Sequence, residues 1–316
     1  MTNSTAFEPL PASTNSPSAI ATTVWAPVPS AHHEPPAAPG PDAPGPSALA
    51  CPRRRTERIV VMLATYNERA CIGATLDSLA GILPALQRVG VEMRVLLVDD
   101  ESPDGTAAFA VARAAEIGVE LQVSSAPRAG LGQACLRGFA AIAAARWADT
   151  VVTLDADGQH DPAMIPLLVI ERDRVGADLL IGSRWTRGGS VIGLSPSRRL
   201  LSRFGNLLFT TVTGIRGVHD ATTSFRVFSA ELAARFDPGP LSVSGYSFFS
   251  SFVAVACASG LRVAEHPIIF AARAGGASKL QPTDVLQFVR NLPALRRQAA
   301  QLRARVAERP WVRVMV

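Results

Sequence analysis

Thr150-Val-Val-Thr-Leu-Asp155-Ala-Asp157-Gly-Gln-His160 is the stretch on which the reading of this chain turns. Thr150 to Leu154 is a short run that reads as a buried strand. It ends on two carboxylates at positions i and i+2, which share a face while the chain stays extended. Two like charges that close are costly unless a cation lies between them. Mg2+ or Mn2+ resolves the conflict, because both prefer oxygen ligands and accept phosphate oxygens. The structural alternative is a polar turn that closes a strand.

Outward from this stretch the pattern repeats. Arg58–Ala64, Val91–Val98, Val119–Val123 and Asp178–Ile181 read as further strands, and Ala70–Leu86, Thr106–Ile117, Gln133–Ala145 and Pro162–Val175 as helices. Regular alternation of this kind predicts an α/β fold with a mostly parallel sheet and helices on both faces. Ligands of such sheets bind beyond the carboxyl ends of the strands. The residues there are Thr65-Tyr-Asn-Glu68, Asp99-Asp100, Asp155–Gln159 and Gly182-Ser-Arg184. All are polar, and they are expected to converge on one edge.

Composition sets the limits around this core. The chain has 316 residues, 48% of them hydrophobic, and a net charge of +5. Residues 1–52 carry no Lys or Arg and hold half of the prolines. We therefore expect a disordered Pro-rich tail over 1–56, a catalytic domain over 57–282 and a basic amphipathic helix over 283–316. The basic surplus points to phosphates, nucleic acid or an anionic membrane. Nucleic acid fits poorly, because no surface interleaves aromatic and basic residues. Four cysteines without paired spacing predict reduced thiols in a cytoplasmic protein. No secretory signal and no uninterrupted apolar span is visible, so no transmembrane helix is expected.

Ser102-Pro-Asp-Gly105 is turn chemistry, and Asp or Thr there can cap the next helix. Turns and caps leave the adjacent carboxylates Asp99 and Asp100 unexplained. Neither a phosphate loop with its G-K-[ST] ending nor a G-x-G-x-x-G after the first strand is present, so ordinary ATPase and dinucleotide readings are poor. The motifs T-Y-N-E at 65–68, D-D-x-S-P-D-G-T at 99–106, G-L-G-x-A at 130–134 and D-A-D-x-Q-H at 155–160 resemble, in order and spacing, the polyprenol (dolichol) phosphate mannose synthases. These are family 2 glycosyltransferases of GT-A fold, and the resemblance runs from about Arg58 to Leu280. It implies transfer of mannose from GDP-mannose to a polyprenyl phosphate, with a divalent metal. By motif, Thr65, Tyr66, Glu68, Asp99 and Asp100 resemble the guanosine pocket, and Asp155, Asp157 and Gln159 the metal and diphosphate site. Gly132 lies in a loop that resembles one beside the donor, where a glycine lets backbone approach a ligand.

The same resemblance assigns Arg184, Arg198 and Ser202 to the acceptor phosphate. Arg198, Ser202 and Asn206 are spaced by four and share a helix face, and guanidinium binds phosphate well. Asp220 is a candidate to position the acceptor or the sugar. Arg273-Ala-Gly-Gly-Ala-Ser-Lys279 resembles a basic loop that closes on diphosphate, and it holds the sole lysine of the chain. The pattern is broken twice: no acid follows Gly245-Tyr246 closely, and Ala277 stands where an acid is common. These departures bear on the acceptor contact or the sugar more than on glycosyl transfer. UDP-glucose or another donor, a sugar-hydroxyl acceptor, and an inactive scaffold are the competing readings.

From Asp284 onward, apolar residues at helical spacing alternate with arginines. A basic amphipathic helix suits a membrane surface; packing against the domain or a dimer partner is the alternative. Many members of the family carry C-terminal transmembrane helices. This chain is instead expected to be peripheral on the inner face of the membrane.

Overall fold

The computed structural model describes residues 56–237, 247–273 and 282–308. The first half alternates as expected: β1 (Glu57–Thr65), α1 (Arg69–Arg88), β2 (Val91–Asp99), α2 (Thr106–Ile117), β3 (Leu121–Ser125), α3 (Leu131–Ala145), β4 (Thr150–Asp155), α4 (Ile165–Val175) and β5 (Leu179–Ser183). After it come β6 (Ser190–Val191), α5 (Pro196–Thr213), β7 (Arg226–Ser229), α6 (Ala230–Arg235), α7 (Ser247–Ala258), β8 (Val263–Pro267), β9 (Ile269–Phe270) and α8 (Pro282–Glu308). Seven strands form one sheet in the order β3-β2-β1-β4-β7-β5-β8, and β6 pairs with β9 apart from it.

All pairings in the large sheet are parallel except those of β7, which runs antiparallel between β4 and β5. That reversal positions the site. Because β7 is inverted, the residues just before it arrive at the edge where the parallel strands end. Register fixes the rest: Thr65 pairs with Asp99 and Ala64 with Asp155, so three polar strand ends are aligned.

Both faces of the sheet are covered, so β1 is apolar without a break from Ile59 to Ala64 instead of alternating. Ile59, Val61 and Leu63 pack with α1, α2 and α4, while Val60 and Met62 pack with α3, Phe209 of α5, α7 and α8. The α3 helix lies so close to the sheet that a Cβ on Gly138 would stand within 2.4 Å of the Met62 sulfur. Helix α1 is long and apolar enough to cross a bilayer by length and composition. Its apolar side, Cys71, Ile72, Leu76, Leu79, Ile82 and Leu86, is spent on the sheet, which makes it a core helix. The apolar stripe of α8 is also occupied: Phe288, Leu292, Leu295 and Ala299 are buried, and the first three belong to the cluster that holds Phe209 and Phe252. Of the two uses expected for this helix, the packed one is observed.

Candidate active site

The acidic pair lies where the sheet register delivers it. Asp157 is buried, and its Oδ1 accepts the Gln159 backbone N–H at 3.0 Å. Asp155 keeps 37% side-chain exposure toward the crevice and accepts a hydrogen bond from Ser224 Oγ at 2.7 Å. Burial and then the charge of Asp155 push the Asp157 carboxyl up to about 6. Asp155 is raised as well, chiefly by the partial loss of solvent around its carboxyl. Both shifts mark the charged pair as unfavourable without a further counter-charge.

Behind the pair stands His160, sealed between Phe225 and Phe270. Burial holds its pKa down at about 3, so the ring is neutral. Its Nδ1 accepts the Asp155 backbone N–H at 3.2 Å, which assigns the proton to Nε2, 3.3 Å from Thr223 Oγ1. With no charge on the ring, the 3.6 Å approach of Nδ1 to the Asp155 carboxylate is not an ion pair. His160 is a strut for the Asp155 backbone and not a base open to a ligand.

Arg273 reaches across the crevice. Its guanidinium meets Asp157 Oδ2 at 2.7 Å and Glu68 Oε1 at 3.4 Å. Gln159 holds the chain two residues before Arg273: Gln159 O accepts the Ala271 N–H at 2.9 Å, and Gln159 Nε2 donates to Ala271 O at 3.2 Å. The sequence thus brings Glu68, Asp157, Gln159 and Arg273 together as expected. Lys279, Ala277 and Gly245-Tyr246 lie outside the described residues.

The ends of β1 and β2 are more structural than the sequence suggests. Asp99 accepts from Thr65 Oγ1 at 2.8 Å, Ser102 N at 2.8 Å and Ser102 Oγ at 2.6 Å. Asp100 accepts from Gly130 N and Arg137 Nη2, both at 3.0 Å. Turn chemistry therefore accounts for part of Asp99, through Ser102 three residues on, whereas Asp100 is held by Gly130 and Arg137, 30 and 37 residues away. Asn67 and Glu101, just past the two strands, hold positive φ of 54° and 46°, an uncommon conformation for such residues. Tyr66 is half-buried with the Arg128 guanidinium over its ring at 4.0 Å. Gly132 is buried in the first turn of α3.

On the opposite side, Arg184 and Asp220 are committed to each other. Arg184 Nε and Nη2 donate to the two Asp220 oxygens, each at 2.7 Å, and the Arg184 backbone N–H adds a third bond at 3.0 Å. Burial alone would raise the Asp220 carboxyl, but Arg184 overrides it and holds the pKa below the usual range. Asp220 is fully buried, and what it holds in place is Arg184. Glu265 fixes it further, accepting the Asp220 and His219 backbone N–H groups at 2.7 and 2.8 Å. Ser202 Oγ receives Trp185 Nε1 at 3.3 Å, and Arg198 is exposed in the first turn of α5. Asn206, on the same helix face, is buried and bonds Ala221 N and Thr222 Oγ1.

Glu265 is the residue that sequence reasoning missed; Thr222, Thr223 and Ser224 lie in the 220–226 segment that the family resemblance sets beside the catalytic centre, and His160 closes the D-A-D-x-Q-H motif, but the sequence assigned none of the four a contact. The segment 220–225 bears few periodic cues, and only the inverted β7 explains why it reaches this edge.

Among the described residues no group of three or more His, Cys, Asp or Glu side chains converges as a metal cage. Two carboxylates that call for a further counter-charge nevertheless fit a hard divalent ion whose other ligands are phosphate oxygens and water. The fold is that of a GT-A glycosyltransferase. Residues 60–236 match the family model described as Glycosyl transferase family 2, and the chain belongs to that family. It is 34% identical over 233 residues to the polyprenol monophosphomannose synthase of Mycolicibacterium smegmatis, covering 73% of this chain and 84% of that protein. It is also 34% identical over 228 residues to the undecaprenyl-phosphate mannosyltransferase of Micrococcus luteus, covering 71% and 87%. Among solved structures, glucosyl-3-phosphoglycerate synthase from Mycobacterium tuberculosis, in complex with Mn2+, UDP and glucosyl-3-phosphoglycerate, shares the fold. Its TM-score is 0.53 at 21% identity, over 77% of this chain and 80% of that one.

Proposed function

We propose that this glycosyltransferase moves mannose from GDP-mannose to a polyprenyl phosphate, by in-line displacement with inversion. The observation that carries the reading is the crevice itself: an acidic pair with Arg273 on one side and the Arg184–Asp220 pair on the other, joined through Ser224 and Thr222. Its relatives of 34% identity are named for mannose transfer to polyprenol or undecaprenyl phosphate.

Asp155 and Asp157 would hold the Mg2+ or Mn2+, with Gln159 beside them. Bound there, the ion supplies Lewis-acid stabilisation of the departing diphosphate. Arg273 adds a fixed positive charge next to the same oxygens, which is worth most where charge develops. Thr65, Tyr66, Glu68, Asp99, Asp100 and Gly132 frame the nucleoside. Asp99 and Asp100 do so by shaping the two strand-end turns. Arg184, held rigid by Asp220, receives the acceptor phosphate together with Arg198 and Ser202. That phosphate is already anionic at neutral pH, so no strong general base is required, in keeping with a buried, neutral His160.

The acceptor lipid calls for a membrane surface, and α5 suits it. Leu200, Phe204 and Leu207 follow one another along its outer side with exposures of 70%, 58% and 62%. From Ser183 to His219 there are six arginines and no Asp or Glu. An apolar stripe flanked by arginines binds an anionic interface, here the inner face of the cytoplasmic membrane. The test is a panel of nucleotide sugars with a short polyprenyl phosphate. Labelled lipid from GDP-mannose alone supports the reading, and transfer from UDP-glucose in its place overturns the donor assignment.

A further inference from the structure

Among the described residues Arg226 is the largest side chain that is fully buried. It opens β7 and spends its whole guanidinium on backbone carbonyls: Nε on Thr223 O at 3.0 Å, Nη2 on Ala221 O at 2.8 Å and Nη1 on Phe249 O at 2.8 Å. Its Cζ stands over the rings of Phe249 and Phe252 at 4.9 and 5.7 Å. Among the described residues no carboxylate forms an ion pair with it. Burial lowers its pKa to about 9, which leaves it charged at neutral pH. A cation buried on dipoles and ring faces, with the Asp220 charge acting on it only from beyond ion-pair distance, is costly, and apolar packing of similar volume is often the more stable choice.

What the guanidinium achieves is geometric. Two of its acceptors lie inside the 220–224 segment, and nearly every residue of that segment holds part of the site. Asp220 and Thr222 grip Arg184, Thr223 meets His160, and Ser224 donates to Asp155. The third acceptor is in the first turn of α7, so the same group ties the segment to the helical layer behind it.

We propose that Arg226 is a positioning residue: its guanidinium sets the 220–224 segment so that the acidic pair and the Arg184–Asp220 pair keep one common geometry. The proposal rests on the reading above for what the site binds. It places Arg226 behind both halves of the crevice, in contact with neither ligand. A misplacement of about 1 Å at such a distance from the chemistry can cost about 10²-fold in rate.

The experiment compares Arg226→Lys and Arg226→Met with Leu168→Ala. Leu168 is buried in α4 on the opposite face of the sheet, and its aliphatic side chain makes none of the hydrogen bonds that hold the segment. Each protein is checked for folding by circular dichroism. Mn2+ affinity in the presence of GDP is then read from the free-Mn2+ electron paramagnetic resonance signal. Turnover and both KM values follow, with GDP-mannose and a short polyprenyl phosphate. We expect Arg226→Lys to fold, to lose about 10²-fold in kcat, and to need severalfold more Mn2+ for half-saturation. Arg226→Met, which keeps the volume but has no donors, should lose at least as much. Leu168→Ala should lower the melting temperature while keeping kcat and Mn2+ affinity within about twofold. The proposal is overturned if Arg226→Lys keeps both quantities within that margin, if Leu168→Ala reproduces both losses, or if neither Arg226 variant folds. Absence of transfer by the wild-type protein would sink the reading of the substrates instead, and the Mn2+ arm would still judge Arg226.

Discussion

Arg184 and Asp220 show what a single contact can carry. Removing one partner of a buried, hydrogen-bonded ion pair leaves an uncompensated charge and costs about 3–5 kcal/mol. Asp220→Asn should therefore lower the denaturation midpoint well beyond the loss of an exposed pair such as Arg174–Glu171. The pH dependence follows from the sign of the shift. Asp220 titrates below the ordinary carboxylate range in the folded state. Its contribution is complete above the unfolded value of about 3.9 and is lost as pH falls through the lower folded one. Melting curves from pH 6 down to about 2.5 should show the gap between wild type and Asp220→Asn closing on the acid side; a constant gap would contradict the pairing. At this scale the sequence was partly readable. Asp155, Asp157 and Glu68 stand at recognisable strand ends. Ser224, Thr223 and Glu265 act through space on partners 45 to 69 residues away, and no spacing announces such contacts.

Among the elements, α5 and α8 divide between surface and core in a way that hydropathy alone does not decide. Both are basic and amphipathic. The apolar side of α8 is filled by the domain, so Leu295→Ala should cost about 2–5 kcal/mol, as measured by chemical denaturation. Leu286→Ser, at a half-exposed position, should cost little. For α5 the expectation is reversed. Replacing Leu200, Phe204 and Leu207 together with Ser should leave the melting temperature nearly unchanged and abolish co-sedimentation with anionic vesicles. Persistent sedimentation would move the membrane contact elsewhere. The first five strands and four helices were legible because strand and helix alternate regularly, with turn residues between them. β7 was not: it has four residues, and its place between β4 and β5 depends on a reversal that only long-range pairing sets.

Across the whole molecule, the fold solves one electrostatic problem. Parallel strands deliver carboxylates to one edge of the sheet, and the inverted β7 brings the 220–225 segment to the same edge. The Gln159–Ala271 clasp holds the chain two residues before Arg273, whose guanidinium meets Asp157. Positive charge is concentrated where phosphates and a lipid surface would meet, which leaves α1 and α2 on the far side free to be ordinary core helices. The central claim is that the Asp155–Asp157 pair holds a divalent ion essential to transfer. It is tested most directly by labelled-mannose transfer to a short polyprenyl phosphate, with wild type and Asp157→Ala, in chelator and after Mn2+ is restored. The account predicts wild-type transfer that vanishes in chelator and returns with Mn2+, and none from Asp157→Ala in either state. Undiminished transfer by Asp157→Ala, or by wild type in chelator, would contradict it.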